Sequence, residues 1–213
     1  MNTRYSPYTG VGFEDVKERE GKLIYDIAFQ LAASGYTLRA GGYSGCSKFF
    51  EEGANKAFKS PHCKGRSLSF SENLQSLPIK EVFLPYRGFQ NHDDDSFYDY
   101  PEEIKIRVQK FLNSKPLSEL IEQGENPFVL KDIISRIHQL LGRSLSLKSK
   151  SRFLLCWTPD GAHSTETVSS ETGNTSKSII LAEHFGIKVF NLGNSEHFER
   201  ISGWISSFNK ALI

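Results

Sequence analysis

Short apolar runs alternate with longer amphipathic stretches along most of this chain. The apolar runs have the length and composition of buried strands and lie at residues 5–9, 36–40, 80–84, 151–157 and 188–192. The amphipathic stretches have apolar side chains at helical spacing and lie at residues 15–34, 47–58, 101–112, 127–141, 176–185 and 196–209. This alternation predicts a doubly wound, mainly parallel α/β sheet flanked by helices. We expect a single domain with a loop and helical insertion at about residues 86–142.

Three turns rich in small residues lie between an extended segment and a helix, at residues 9–12, 41–45 and 171–176. Glycine has no Cβ, so backbone N–H groups in such turns can approach a ligand closely. Parallel strands end at one edge of their sheet, where ligands of open α/β sheets bind. The three turns together therefore predict one crevice for a phosphate or a ribose.

The candidate ligand-binding residues come from these turns and the neighbouring strand ends. They are Thr9, Gly10, Val11, Gly12, Arg39, Gly41, Gly42, Ser44, Gly45, Tyr86, Trp157, Asp160, Gly161, Thr172, Gly173, Asn174, Thr175 and Ser176. Arg39 can pair with a phosphate or form a surface ion pair. Trp157 and Tyr86 can stack on a base, although Trp157 fits a core position equally well. Helix N-capping is an alternative role for the last turn.

Two carboxylates are candidate catalytic groups. Asp160 follows the central apolar run and can bind ribose hydroxyls or act as a general base, or simply form an Asp-Gly turn. Glu171 opens the third turn, and Glu166 lies nearby. No Ser/His/Asp triad can be assembled from the chain. Whether the protein is an enzyme is left open by these residues.

Composition narrows the possible partners. The chain of 213 residues has a formal net charge of +1, which does not indicate a broadly cationic nucleic-acid surface. Its three cysteines lack metal-ligand spacing, and we expect reduced thiols, no metal and no cofactor. We expect the acidic cluster at residues 92–95 to be a solvated loop. No apolar run is long enough to span a bilayer, and the N-terminus lacks a signal core, so we expect no membrane partner and a cytoplasmic location.

Six ordered segments resemble the SLOG superfamily, which joins the DNA-processing protein A (Smf) fold with the "lonely guy" enzymes. They are YTGVGF at 8–13, GYTLRAGGYSGCSKFFEEGA at 35–54, EVFLPYRGF at 81–89, HQLLG at 138–142, FLLCWTPDG at 153–161 and TGNTSKSIILAEHFGIKVFNL at 172–192. The resemblance is strongest to phage and bacterial relatives of DNA-processing protein A. The resemblance implies a Rossmann-like sheet, self-association, and binding of a nucleotide, a nucleotide-derived signal or single-stranded DNA. A phage origin would place the protein in the host cytoplasm.

The chain departs from the pattern of that superfamily at three places. Gly45-Cys46-Ser47 stands where many relatives have Gly-Ala-Asp, and TGNTSKS at 172–178 lacks the glutamate of the phosphoribohydrolase motif. A polar insertion at 162–170 can form a flap over the crevice. We therefore expect binding of a nucleotide or nucleotide-derived molecule, for sensing or sequestration. The alternatives are N-glycosidic cleavage of a nucleoside monophosphate, and single-stranded DNA binding by a basic patch of Arg143, Lys148, Lys150, Arg152 and Lys177.

Overall fold

The fold is built on one sheet of five parallel strands in the order β3-β2-β1-β4-β5. This computed structural model describes residues 5–69, 76–92, 100–112 and 127–211. The strands are β1 (Pro7–Gly10), β2 (Thr37–Ala40), β3 (Lys80–Val82), β4 (Phe153–Cys156) and β5 (Lys188–Asn191). The α-helices are α1 (Glu18–Ala33), α2 (Cys46–Phe58), α3 (Glu102–Leu112), α4 (Pro127–Leu141), α5 (Thr175–His184) and α6 (Ser195–Ala211).

Helices cover both faces of the sheet and form two separate apolar cores. Helices α1, α2 and α6 pack on one face, around Tyr8, Phe50 and Phe153. Helices α3, α4 and α5 pack on the other face, around Ile137, Leu154 and Ile179. Every residue of β1, β2 and β4 is buried, as expected for strands covered on both faces. The prediction of a doubly wound parallel sheet is confirmed.

The predicted elements all exist, and the structure moves their ends by only a few residues. The strand predicted at 151–157 begins two residues later and ends one residue earlier, at Cys156. The predicted helix at 127–141 is α4, which crosses the sheet from β3 to β4 and packs against β1 and β2. Within the described part of the chain, no helix has both the length and the apolar character needed to cross a bilayer.

The chain reverses direction across the sheet between β1 and β4. From β1 it proceeds outward through β2 to β3, and α4 then returns it to β4 and β5 on the other side. The loops after β1 and β4 therefore leave the carboxyl edge on opposite faces of the sheet. Such a switch point opens a crevice at the ends of the two central strands.

Candidate functional site

A cleft of about 410 Å³ lies at the switch point, at the carboxyl ends of β1 and β4. Its wall consists of residues 11–15 after β1, Tyr43, Ser44 and Ser47 around the start of α2, Arg136 of α4, and residues 173–175 at the start of α5. Six of the predicted ligand-binding residues meet here: Val11, Gly12, Ser44, Gly173, Asn174 and Thr175. All three small-residue turns contribute to one cavity.

The turn after β1 is hydrogen-bonded to the segment after β4 and to the start of α2. The amide of Phe13 donates to the carbonyl of Trp157 at 3.0 Å, and the carbonyl of Phe13 accepts from the amide of Cys46 at 3.1 Å. A Cβ at Gly12 would lie 2.7 Å from Cβ of Cys46 and 2.8 Å from the Trp157 carbonyl oxygen. Glycine at this position therefore allows the backbone of the first turn to pack directly against the other two.

The two helices that begin at the cleft have no side-chain cap. Gly45 precedes α2 and Asn174 precedes α5, and neither supplies a side-chain capping bond. Neither helix has an acidic residue in its first turn, whereas α1 has two. The backbone N–H groups of Ser47 and Thr175 have no partner among the described residues. Both helices thus direct unpaired donors and partial positive charge at the same space.

Two hydroxyl groups accompany these backbone donors. Ser47 is 1% exposed and Thr175 is 3% exposed, and both line the cleft. In the described part of the chain, neither side-chain hydroxyl makes a hydrogen bond to another protein group. Buried hydroxyls in folded proteins normally have partners. These two are therefore available to a bound ligand.

Arg136 supplies a cation to the same wall. It is 5% exposed, and its Nε donates to Asp132 at 3.0 Å while Nη1 donates to the Ser178 hydroxyl at 2.7 Å. Its guanidinium also lies over the ring of Tyr43, with Cζ 4.9 Å from the ring centroid. Burial alone lowers the pKa of Arg136, but Tyr43 and Asp132 outweigh burial and raise it above its usual value. The guanidinium is therefore charged, fixed in place and able to donate to an anion.

The rim of the cleft combines acidic and aromatic side chains. Glu14 and Asp15 are exposed there, and Glu14 Oε1 accepts from the Ser44 hydroxyl at 2.5 Å. The ring of Phe13 forms part of the wall and makes an edge contact with Trp157, with 6.5 Å between ring centroids. Carboxylates at this place can accept hydrogen bonds from sugar hydroxyls, and they disfavour a large anion at the rim.

The cleft does not present a reactive thiol. Cys46 begins α2, but burial raises the pKa of its thiol to about 12. The nucleophilic form of cysteine is the thiolate, which Cys46 does not populate near neutral pH. Among the described residues, no group of three or more His, Cys, Asp or Glu side chains could hold a metal ion. Residues 93–95 of the predicted acidic loop lie outside the described part.

Asp160 binds the loop after β4 rather than facing the cleft. Its carboxylate accepts from the hydroxyls of Thr158, Ser169 and Thr172, and from the amide of Ala162 at 3.3 Å. Partial burial raises its pKa, but the bonds from Thr172, Thr158 and Ser169 outweigh burial and lower it from 3.8 to about 2. Because each of these neighbours donates a hydrogen bond to it, the carboxylate is a poor proton acceptor. Its role is to hold the loop in place.

We expect Asp160 to make stability depend on pH in acid. Because its folded pKa lies below the usual value, the ionised form stabilises the protein above about pH 4, and this contribution is lost as the pH falls towards 2. Urea unfolding of the protein and of Asp160→Asn at several pH values measures this. The stability gap between the two should shrink as pH falls through that window. A gap independent of pH would contradict the assignment.

The structure places other predicted residues away from the cleft wall. Thr9 is buried in β1 and donates to the Gln139 carbonyl at 2.8 Å. Four other predicted residues are buried in the packing around the turns: Gly10, Gly41, Gly161 and Thr172. Gly45 has a φ of 65° and packs against the backbone of residues 13 and 14, while Gly42 lines a second cavity beside the cleft. Ser176 donates to the Gly173 carbonyl at 2.7 Å.

Arg39 forms a buried ion pair within the sheet. It is 2% exposed, and Nε donates to Glu81 of β3 at 2.8 Å. Nη1 donates to the Ser149 carbonyl at 2.9 Å, and Nη2 donates to the Tyr5 hydroxyl at 2.9 Å. The guanidinium is therefore directed towards the end of α4 and the connector to β4, at the amino edge of the sheet. A ligand at the carboxyl edge does not meet it.

The side chains of the aromatic and catalytic candidates also lie outside the cleft wall. Tyr86 is exposed and contacts Phe89 and Phe128 instead of lining the cleft. Trp157 reaches the site through its carbonyl, and its ring packs against the core. Glu171 and Glu166 are exposed, and neither lines the cleft.

Lys177 lies apart from Arg152 among the five predicted basic residues. Lys177 is in the first turn of α5, 3.5 Å from Asp132, while Arg152 lines a cavity of about 290 Å³ at the amino edge. Lys150 donates to the carbonyls of Phe185 and Gly186 at 3.0 and 2.8 Å. A single-stranded DNA path that included both Lys177 and Arg152 would have to cross between the two edges of the sheet.

Sequence reasoning did not identify Arg136, Ser47, Phe13 or Glu14 as site residues. Arg136 is the most consequential, and it lies in the middle of an amphipathic helix with no local motif. Its one signal is a cation among apolar neighbours, Ile133, Ile134 and Ile137. A charged residue on the buried face of a helix requires a partner, and this could have marked it for attention.

Comparisons with known proteins identify no family for this chain. No protein-family model matches it, and no curated protein matches it. Among solved structures, it is similar to DNA processing protein A from Helicobacter pylori, described by its unique mode of binding single-stranded DNA, at 12% sequence identity. That match covers 97% of this chain and 81% of the other, with a TM-score of 0.36. The fold class therefore rests on the strand order and helix layers described above.

Proposed function

We propose that this protein binds a phosphate-bearing nucleotide or nucleotide-derived molecule in the cleft between β1 and β4, and so senses or sequesters it. The observation that carries the proposal is a convergence of donors and positive charge on one cleft: the backbone amides and hydroxyls of Ser47 and Thr175, and the guanidinium of Arg136. A phosphate accepts several such bonds at once, and a helix N-terminus favours its charge. We also propose that the chain is a divergent SLOG protein, on the ordered segments quoted above.

The charge balance favours a ligand with few phosphates. Among the described residues that line the cleft, Arg136 is the cation, and both Arg136 and Lys177 contact Asp132. Glu14 and Asp15 add two carboxylates at the rim. One phosphate can lie against the helix N-termini, and the carboxylates then face the ribose. A triphosphate would extend towards those carboxylates and lose binding energy.

The proposal is tested by incubating the protein with nucleoside mono-, di- and triphosphates, NAD and cyclic nucleotides. Bound and free fractions are separated by ultrafiltration and identified by mass spectrometry. We expect an intact nucleotide in the bound fraction, with monophosphates retained better than the matching nucleosides. Retention of no compound, or equal retention of nucleosides, would contradict phosphate binding in the cleft.

Hydrolysis of an N-glycosidic bond is a second candidate function, favoured by the carboxylates of Glu14 and Asp15 at the cleft rim. Cleavage of such a bond passes through an oxocarbenium-like transition state that a nearby carboxylate stabilises. The same incubation would then release free base and a sugar phosphate. Loss of that release in Glu14→Gln or Asp15→Asn, with nucleotide still bound, would identify the group responsible. Single-stranded DNA is tested separately by binding at low and high salt.

Removal of a single cleft hydroxyl should weaken binding without harming the fold. Ser47→Ala deletes a hydroxyl that has no protein partner, so the free energy of unfolding should stay within about 0.5 kcal/mol of the parent value. Affinity for a nucleoside monophosphate should fall about fivefold, since one hydrogen bond contributes about 1 kcal/mol. Isothermal titration and urea unfolding measure the two effects. Unchanged affinity would remove Ser47 from the site.

A further inference from the structure

A second polar cavity of about 450 Å³ adjoins the cleft. Tyr43 and Ser44 belong to the walls of both, so the two spaces meet across the turn after β2. The rest of the wall contains Gly42, four residues of α2 (Lys48, Glu51, Glu52 and Asn55), Lys80 of β3, and Gln90 and His92. A molecule whose phosphate lies against the helix N-termini can extend across Ser44 into this second space.

Two side chains of this wall each have a buried acceptor atom with no hydrogen-bond partner in the described part of the chain. They are Oε1 of Glu51, a residue that is 5% exposed, and Oδ1 of Asn55. The two residues are four apart in α2, so their side chains lie one turn apart on the same helix face. Buried oxygen atoms without a donor are costly to the fold, and their persistence at a cavity wall points to a ligand.

The neighbouring charges restrict what that ligand can be. Oε2 of Glu51 accepts from Lys80 Nζ at 3.2 Å, and His92 Nε2 lies 3.9 Å from Oε1. Lys48 and Glu52 form an ion pair at 3.9 Å, so their charges offset each other. The ammonium of Lys80 disfavours a metal cation, and the Glu51 carboxylate disfavours a second phosphate. The group that fits is neutral and has at least two hydrogen-bond donors close together.

We propose that the second cavity selects the ligand by binding a paired-donor group, with Glu51 and Asn55 accepting its hydrogen bonds. This rests on the proposed function, because the phosphate in the cleft sets the direction of the ligand. Two parts of a nucleotide have the required chemistry: a base edge with an amino group, and the vicinal hydroxyls of a ribose. Glu51 and Asn55 are specificity-determining residues in either case.

The experiment compares matched ligands by isothermal titration. Guanosine and inosine monophosphates differ by the 2-amino group, and a ribonucleotide differs from its 2′,3′-dideoxy form by the vicinal hydroxyls. We expect one of these two deletions to lower affinity about tenfold, because it leaves buried acceptors unpaired. The deletion that does so identifies which part of the nucleotide enters the cavity. Equal affinities in both comparisons would overturn the proposal.

Variants at Glu51 and Asn55 test whether these two residues cause the difference in affinity between the matched ligands. Asn55→Ala removes one acceptor, and Glu51→Gln replaces an acceptor oxygen with an amide nitrogen. Each variant should abolish most of the tenfold difference in affinity between the matched ligands. Inorganic phosphate should bind to each variant as it does to the parent. Glu18→Gln on α1 removes an exposed carboxylate and should leave the difference intact. An unchanged difference in Asn55→Ala, with phosphate still bound, would overturn the second site alone. No binding of phosphate by the parent protein would overturn the proposed function together with it.

Discussion

Replacement of Arg136 by methionine should lower the affinity for a nucleoside monophosphate by about 10- to 150-fold. Methionine keeps an unbranched apolar stem, but it is shorter and lacks the cation that lines the cleft. Hydrogen bonds to charged groups contribute about 1.5–3 kcal/mol, and each 1.4 kcal/mol is a factor of ten in affinity. Isothermal titration of the parent and the variant measures the change. Arg136→Lys should recover only part of the affinity, because an ammonium lacks the planar fork of the guanidinium.

The matched control for this variant is Lys131→Met on the same helix. Lys131 is exposed and lies over the ring of Phe128, at 5.9 Å from its centroid, outside the cleft. Its replacement removes one positive charge from α4 and should leave affinity within about twofold of the parent, because exposed charges are screened. Equal losses in the two variants would mean that net charge, and not the position of Arg136, controls binding.

Replacement of Arg39 by methionine should destabilise the protein by about 3–5 kcal/mol. The change leaves the carboxylate of Glu81 buried without its cation, and it leaves the Ser149 carbonyl without its donor. Urea unfolding measures the free energy. Ligand affinity of the remaining folded protein should be unchanged, since Arg39 points away from the cleft. A fall in affinity without a fall in stability would instead place Arg39 at the ligand.

An exposed ion pair provides the comparison for Arg39. Lys48 and Glu52 of α2 are 3.9 Å apart with both side chains in solvent, so Lys48→Met should cost less than about 1 kcal/mol. The double variant Arg39→Met/Glu81→Leu should be more stable than Arg39→Met alone, because it removes the unpaired buried charge. A double variant no better than the single one would show that Arg39 stabilises the sheet through its carbonyl contacts.

The fold could be predicted because its determinants are local and repeated. A strand covered on both faces must be apolar throughout, and β4 at Phe153–Cys156 follows that rule. Gly35 has a φ of 91° directly after α1, where its lack of a Cβ allows the helix to end. Strand order and the position of α4 depend on packing between distant segments. The alternation of elements therefore predicted a doubly wound sheet, but not the order of its strands.

The site was harder to predict, since its chemistry depends on which face of an element each side chain occupies. Arg39 lies near the end of β2, just before a glycine turn, which is a reasonable position for a phosphate ligand. Its side chain, however, is on the face covered by α4. Arg136 is distant in sequence from all three turns, and only the crossover of α4 brings it to the cleft. The turns themselves are visible in sequence because glycine and small polar residues are concentrated there.

The central claim is that a phosphate lies between the N-termini of α2 and α5, and titration followed by NMR tests it most directly. Amide proton and nitrogen shifts of ¹⁵N-labelled protein are recorded while inorganic phosphate, and then a nucleoside monophosphate, is added. We expect the largest shifts at Ser47 and Thr175 and in the turn at residues 12–15, with none at Arg152 on the amino edge. Shifts centred on the amino edge, or none at saturating ligand, would contradict it.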